Sequence, residues 1–166
     1  MNRNLPQLMD LTNNVKYFLS AFLVLMTIGV TVGLVYVFET TSMSAVGTEA
    51  HYAGSLITDE LDIPEKYPKE FDGMLLTTHT HVISFAFIFF FLGGIFLMNS
   101  IITGGWKTFL IIEPFISVIG TFGSIWGIRY VSSIFSILTI IFGTLTYLSF
   151  YFMIGLILYE LLFKNK

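Results

Sequence analysis

A chain of 166 residues, 55% hydrophobic and only 11% charged, is an integral membrane protein by composition, because soluble domains carry about 25% charged residues. Its length suits one domain. The absence of cysteine excludes disulfides, thiolate metal ligands, iron–sulfur clusters and covalent c-type haem attachment within the chain, and nothing supplies a nucleophile motif, a phosphate loop or a nucleic-acid surface.

Residues 1–16 form a polar head in which Leu5, Leu8, Met9 and Leu11 could make a short amphipathic turn on the membrane surface; the plainer account is a frayed terminus. The run 17–38 carries no charge. It is longer than a signal-peptide core and lacks a clean A-x-A exit, so we expect a retained first span.

The connection 39–74 carries eight acidic residues (Glu39, Glu49, Asp59, Glu60, Asp62, Glu65, Glu70, Asp72) against Lys66 and Lys69. A loop of this length in a compact chain is often functional. Pro64 and Pro68 break its second half. Its first half, 44–55, is expected to form a short helix capped by Ser44, with Ala45, Val46 and Ala50 toward the membrane.

The second span, 75–98, opens with Thr77-Thr78-His79-Thr80-His81 and has no charge. Residues two apart on a helix lie about 200° apart. His79 therefore shares a face with Ile83, Ala86, Phe90 and Gly93, and His81 with Ser84, Phe85, Ile88 and Leu92. After a turn containing Gly104-Gly105, the third span is expected at 108–128, with one charge, Glu113. The fourth is expected at 130–159, after a tight turn near Arg129; its charge-free run is too long for a perpendicular crossing, so we expect tilt or a protruding end. The expectation is an all-α bundle of four antiparallel transmembrane helices.

Basic residues favour the cytoplasm. Arg3, Lys16, Lys107, Lys164 and Lys166 fall on one side and Lys66, Lys69 and Arg129 on the other. Both termini are thus expected inside and the acidic loop outside, in a periplasm or its equivalent.

The spans carry stripes of small and polar residues: Ser20, Thr27 and Thr31; then Glu113, Ser117, Gly120, Thr121 and Ser124, with a G-x-x-x-G at Gly123 and Gly127; then Ser136, Thr139, Gly143 and Thr146. Such stripes let helices approach closely in lipid; the alternative is room for a flat cofactor. They cannot all face one another in so small a bundle, so a partner protein is expected on at least one.

The chain has three histidines, His51, His79 and His81, all near the outer boundary. Imidazole is the commonest protein metal ligand and a usual axial ligand of b haem. Two histidines on different segments would give a bis-imidazole haem b: His51 with His79 or His81. His79 is preferred because Ala86 and Gly93 on its face admit a neighbour, and the third histidine could bond a haem propionate or a quinone. A copper or zinc ion held by all three, with Glu49, Asp72 or Met43 nearby, is the alternative. A further alternative binds no cofactor and leaves the histidines as interfacial side chains. Glu113 could relay protons; the blander reading puts it near the inner interface, hydrated or paired.

His51-Tyr52-x-Gly54 in the outer loop, Thr78-His79-x-His81 at the next span, and the turn Gly104-x-Trp106-Lys107 together resemble small four-helix bacterial inner-membrane proteins associated with respiratory chains. That resemblance implies a subunit of a respiratory electron-transfer complex. Its competitors are a cofactor-free accessory subunit docking on larger membrane partners and a small copper- or zinc-handling protein.

Overall fold

The computed structural model describes residues 6–55 and 63–164. Asp59, Glu60 and Asp62 of the acidic loop, with Arg3, Leu5 and Lys166, lie outside them. Five α-helices follow a short 3₁₀ turn at Leu8–Asp10: α1 Asn13–Thr41, α2 Ala45–Ala53, α3 Phe71–Phe96, α4 Gly105–Tyr130 and α5 Phe135–Leu162. No strand occurs among the described residues. α1, α3, α4 and α5 are long and apolar enough to cross a membrane, so the chain is an all-helical, multi-pass membrane protein. Both termini lie at one end of the bundle, where the Leu8 amide donates to the Met98 carbonyl (3.0 Å). This is the terminal end; the opposite, loop end carries α2.

The helices outrun the charge-free windows. α3 starts at Phe71 and takes in Asp72, because an acidic side chain suits the N-terminal partial charge of a helix. The expected turn near Arg129 lies further on. Arg129 and Tyr130 finish α4, and the Gly127 carbonyl accepts from the amides of Val131 (2.9 Å) and Ser132 (3.0 Å), closing the helix. α5 begins only at Phe135. Its 28 residues extend about 42 Å at 1.5 Å per residue, beyond a hydrocarbon core of about 30 Å, so its ends reach the headgroups or the helix tilts.

α3 packs on α4, α4 on α5 and α5 on α1, while the α1 and α3 backbones scarcely approach. Between those two runs an apolar groove of about 250 Å³, lined by Phe22, Leu25, Met26, Phe87, Ile88 and Phe91.

The stripes on α4 and α5 meet each other. A Cβ added at Gly120 would stand 2.6 Å from the Phe142 ring, and one at Gly127 would stand 2.5 Å from the Phe135 ring. One heptad earlier on α4, Glu113 meets Ser149, one heptad later on α5. The seam is thus a ladder of layers seven residues apart on both helices. Two layers put a phenylalanine into a glycine notch and the third pairs a carboxylate with a hydroxyl. The expected G-x-x-x-G is not the packing pair, since a Cβ at Gly123 would meet open space. On α1, Thr27 bonds the Leu23 carbonyl (2.7 Å), and Thr31 bonds the Tyr151 hydroxyl of α5 (2.8 Å).

α2 forms as its sequence implies: Ser44 Oγ accepts from the Gly47 amide (3.0 Å) as an N-cap. It folds back onto α1, α4 and α5. Val46 is exposed, whereas Ala45 and Ala50 are half-buried and Thr48 is buried. Gly47 permits close docking on the end of α1, because a Cβ there would fall 2.0 Å from the Thr41 carbonyl oxygen.

Candidate functional site

The loop end is clipped together by backbone bonds that set where His51 stands. Ser55 N donates to the Lys66 carbonyl (2.9 Å), Lys66 N to Ser55 Oγ (3.0 Å) and Lys69 N to the Tyr52 carbonyl (3.0 Å). Lys66 Nζ donates to the Thr40 carbonyl (2.8 Å), a cation at the C-terminus of α1, where the helix dipole favours one. Arg129 Nε donates to the Lys69 carbonyl (2.9 Å), tying the returning segment to the end of α4.

Within His51-Tyr52-x-Gly54, packing accounts for two of the three residues. The Tyr52 ring packs against the bundle core, and burial, with Tyr36 and Tyr147 nearby, pushes its phenol up to about 12. Gly54 has φ +92°, and a Cβ there would stand 2.9 Å from the Pro68 ring. His51 has no comparable structural duty. It is half-buried, edge-on to Tyr52 at 4.8 Å between ring centroids. Partial burial first, then the Lys69 and Lys66 ammoniums, lower its pKa to about 4, so His51 is a neutral imidazole at pH 7, the form a metal binds.

In α3, Thr78 Oγ1 accepts from Trp126 Nε1 of α4 (2.9 Å). His79 is exposed, as are Ile83, Ala86 and Phe90 on its row. Only Gly93 turns inward, toward Ile111 of α4. The reason for preferring His79 therefore fails, because its row drifts out to lipid before reaching the bundle. His81 lies on the other flank. It is exposed as His79 is, but its ring stands 5.6 Å from Phe122 of α4 and 6.5 Å from Phe85. His81 Nδ1 bonds the Thr77 carbonyl (2.8 Å). A carbonyl only accepts, so Nδ1 carries the proton in that bond and Nε2 is the ring nitrogen it does not use. Among the described residues no three His, Asp or Glu side chains gather as a metal cage; the three histidines stand on separate faces.

Glu113 is enclosed rather than hydrated, at 7% exposure. Ser149 Oγ of α5 donates to its Oε2 (2.5 Å) and Ser117 Oγ to its Oε1. It lies eight residues into α4, about 12 Å along the axis. A second buried carboxylate was missed by sequence reasoning. Glu160 has no exposed surface and accepts from Asn99 Nδ2 (2.5 Å), the Ser100 amide (2.9 Å) and the Ser100 hydroxyl. The signal was an acidic residue between Tyr159 and Leu161-Leu162, where the helix runs past its charge-free stretch.

Neither the curated proteins nor the solved structures yielded a match to this chain. A family model does match, over residues 42–166, well beyond half of the chain. The matched region starts one residue after α1 ends and takes in α2 to α5, with all three histidines and both buried glutamates. The chain belongs to the Aq_1264_TM family, a transmembrane helical domain.

Proposed function

We propose that the protein is a membrane subunit of a respiratory electron-transfer complex that binds a b haem at its loop end through His51 and His81. The observation that supports the reading is a pair of imidazoles on different elements, His51 neutral on α2 and His81 held by Thr77 on α3. His51 is neutral because burial and two lysines disfavour its proton; the bond from His81 Nδ1 to the Thr77 carbonyl orients its ring and leaves Nε2 as the nitrogen that would meet a metal. A two-ligand haem needs only such a pair. A copper or zinc ion would draw on three side chains, and no three such side chains gather among the described residues. A bound haem would supply one-electron transfer. The chain's residues would hold the group: Thr77 orients His81, the clip through Ser55, Lys66 and Lys69 fixes α2 beneath His51, and Phe122 and Phe85 give an apolar wall. In this reading the loop end faces the periplasm of a bacterial inner membrane, following the basic residues, and a quinol is the electron donor.

The second reading, a cofactor-free accessory subunit, is favoured by α1, the least enclosed of the four spans. A visible spectrum of the purified complex separates the two. The haem reading expects a Soret band at roughly 400–430 nm, lost with the bound haem in His51→Ala and His81→Ala and retained in His79→Ala. A wild-type complex with no such band gives the accessory reading the field. Equal haem content in all three variants does the same for the assignment of ligands.

A further inference from the structure

At the terminal end, two lysines converge on one turn. Lys107 Nζ donates to the carbonyls of Asn99 (2.5 Å) and Leu97 (3.2 Å), and Lys164 Nζ donates to the Ser100 hydroxyl (2.8 Å). Among the described residues neither ammonium is paired with a carboxylate. Each has three donors, so one remains on Lys107 and two on Lys164. The nearby Glu160 is fully buried and bonded to Asn99 and Ser100, not to either lysine.

Beside this turn opens a pocket of about 290 Å³. Gln7, Asn99, Ser100, Thr103 and Lys107 contribute its polar rim, and no acidic residue lines it. The N-terminus of α4 starts next to it. Gly104 (φ +67°) offers no side-chain cap, so the positive end of a 26-residue helix adds to the lysines. Trp106 is 73% exposed, Tyr159 and Phe163 are exposed at the same end, and such aromatic residues settle at headgroup depth. The pocket therefore stands where lipid phosphates lie.

We infer that this pocket binds a phosphate-bearing anion, the headgroup of an acidic phospholipid, with Lys107 in its lining as the charge partner, Lys164 adding charge from beside it through Ser100, and Thr103 and Gln7 at its rim. The lysines meet a phosphate as point charges, the Thr103 hydroxyl and Gln7 amide can donate to its oxygens, and the acyl chains stay in the bilayer beside Trp106. This site is remote from the histidines and independent of any haem.

The test is lipid retention by the full chain. Protein extracted from vesicles of phosphatidylglycerol and phosphatidylethanolamine is analysed by native mass spectrometry. Retained phosphatidylglycerol in excess over phosphatidylethanolamine is expected. The double variant Lys107→Gln/Lys164→Gln should lose that excess by up to about 25-fold, since each lysine near a membrane surface attracts acidic lipid by about one factor of five. Lys16→Gln changes the charge at the same end of the bundle, outside the pocket lining, and should retain it; an equal loss there would mean diffuse attraction and overturn the pocket. Lys107→Arg keeps the charge and should keep the lipid, which separates loss of binding from loss of the turn. Inorganic phosphate at millimolar concentration should not displace the lipid. Displacement would make the site one for free phosphate and overturn the lipid assignment, and equal retention of the two lipids would overturn the proposal outright.

Discussion

His51 stands half-buried between Tyr52 and two lysines, and its depressed pKa links it to stability. An unfolded histidine titrates near 6.5, whereas folded His51 titrates near 4. Between those values the unfolded chain takes up a proton that the folded one refuses, so stability rises with pH through this window and is lost as pH falls from about 6.5 toward 4. Unfolding midpoints in mild detergent should therefore drop from pH 7 to pH 4.5 more in the wild type than in His51→Asn. Equal drops would show that His51 is not the group responsible. The histidines stood out in the sequence as candidates, but the difference in surroundings between His79 and His81 did not. It turned on the Thr77 carbonyl and the Phe122 ring, which a helical row does not reveal. Glu113 was visible as a lone acid in a span, but its enclosure depends on Ser149, 36 residues away.

Among the elements, α4 and α5 depend on a seam of layers seven residues apart. Gly120→Ala should cost about 1–3 kcal/mol, because the Phe142 ring fills the space a methyl would take and must shift. Gly143→Ala, on α5, the partner helix of the seam, with nothing within 4 Å of its Cβ, should change stability by less than about 0.5 kcal/mol. Unfolding in graded denaturing detergent measures both, and equal effects would mean that the rings do not set the approach of the helices. The sequence displayed both stripes, since small residues recur at helical spacing. It did not display which stripe faces which, because register across a seam is decided by side-chain fit: Gly120 and Gly127 receive rings, while Gly123 receives none.

For the whole molecule, four spans place the segment before α3 and the turn before α4 at opposite ends. Cysteines introduced at Glu65 and Gly104 should label from opposite sides of the membrane, Glu65 from the periplasmic side if the basic residues govern insertion. Labelling of both from one side would sink the four-span topology; exchange of the two sides would reverse only the orientation. The span count was legible because charge-free runs of about 20 residues have few other uses. The docking of α2 against α1, α4 and α5 was not, since it rests on Tyr52, Gly47 and the Lys66 clip rather than on any periodicity.

α1 lies outside the matched family region, and it is the least enclosed span. It precedes α2 to α5 in the chain, so during synthesis it leaves the ribosome before them. With α1 present, residue 42 emerges on the far side of the bilayer. Without it, the same residue would start on the near side, and the remaining three spans would have to invert or be led across by another segment. α1 thus does less to enclose the bundle than to carry the chain across the bilayer, so that the histidine-bearing end begins on the opposite side from residue 13.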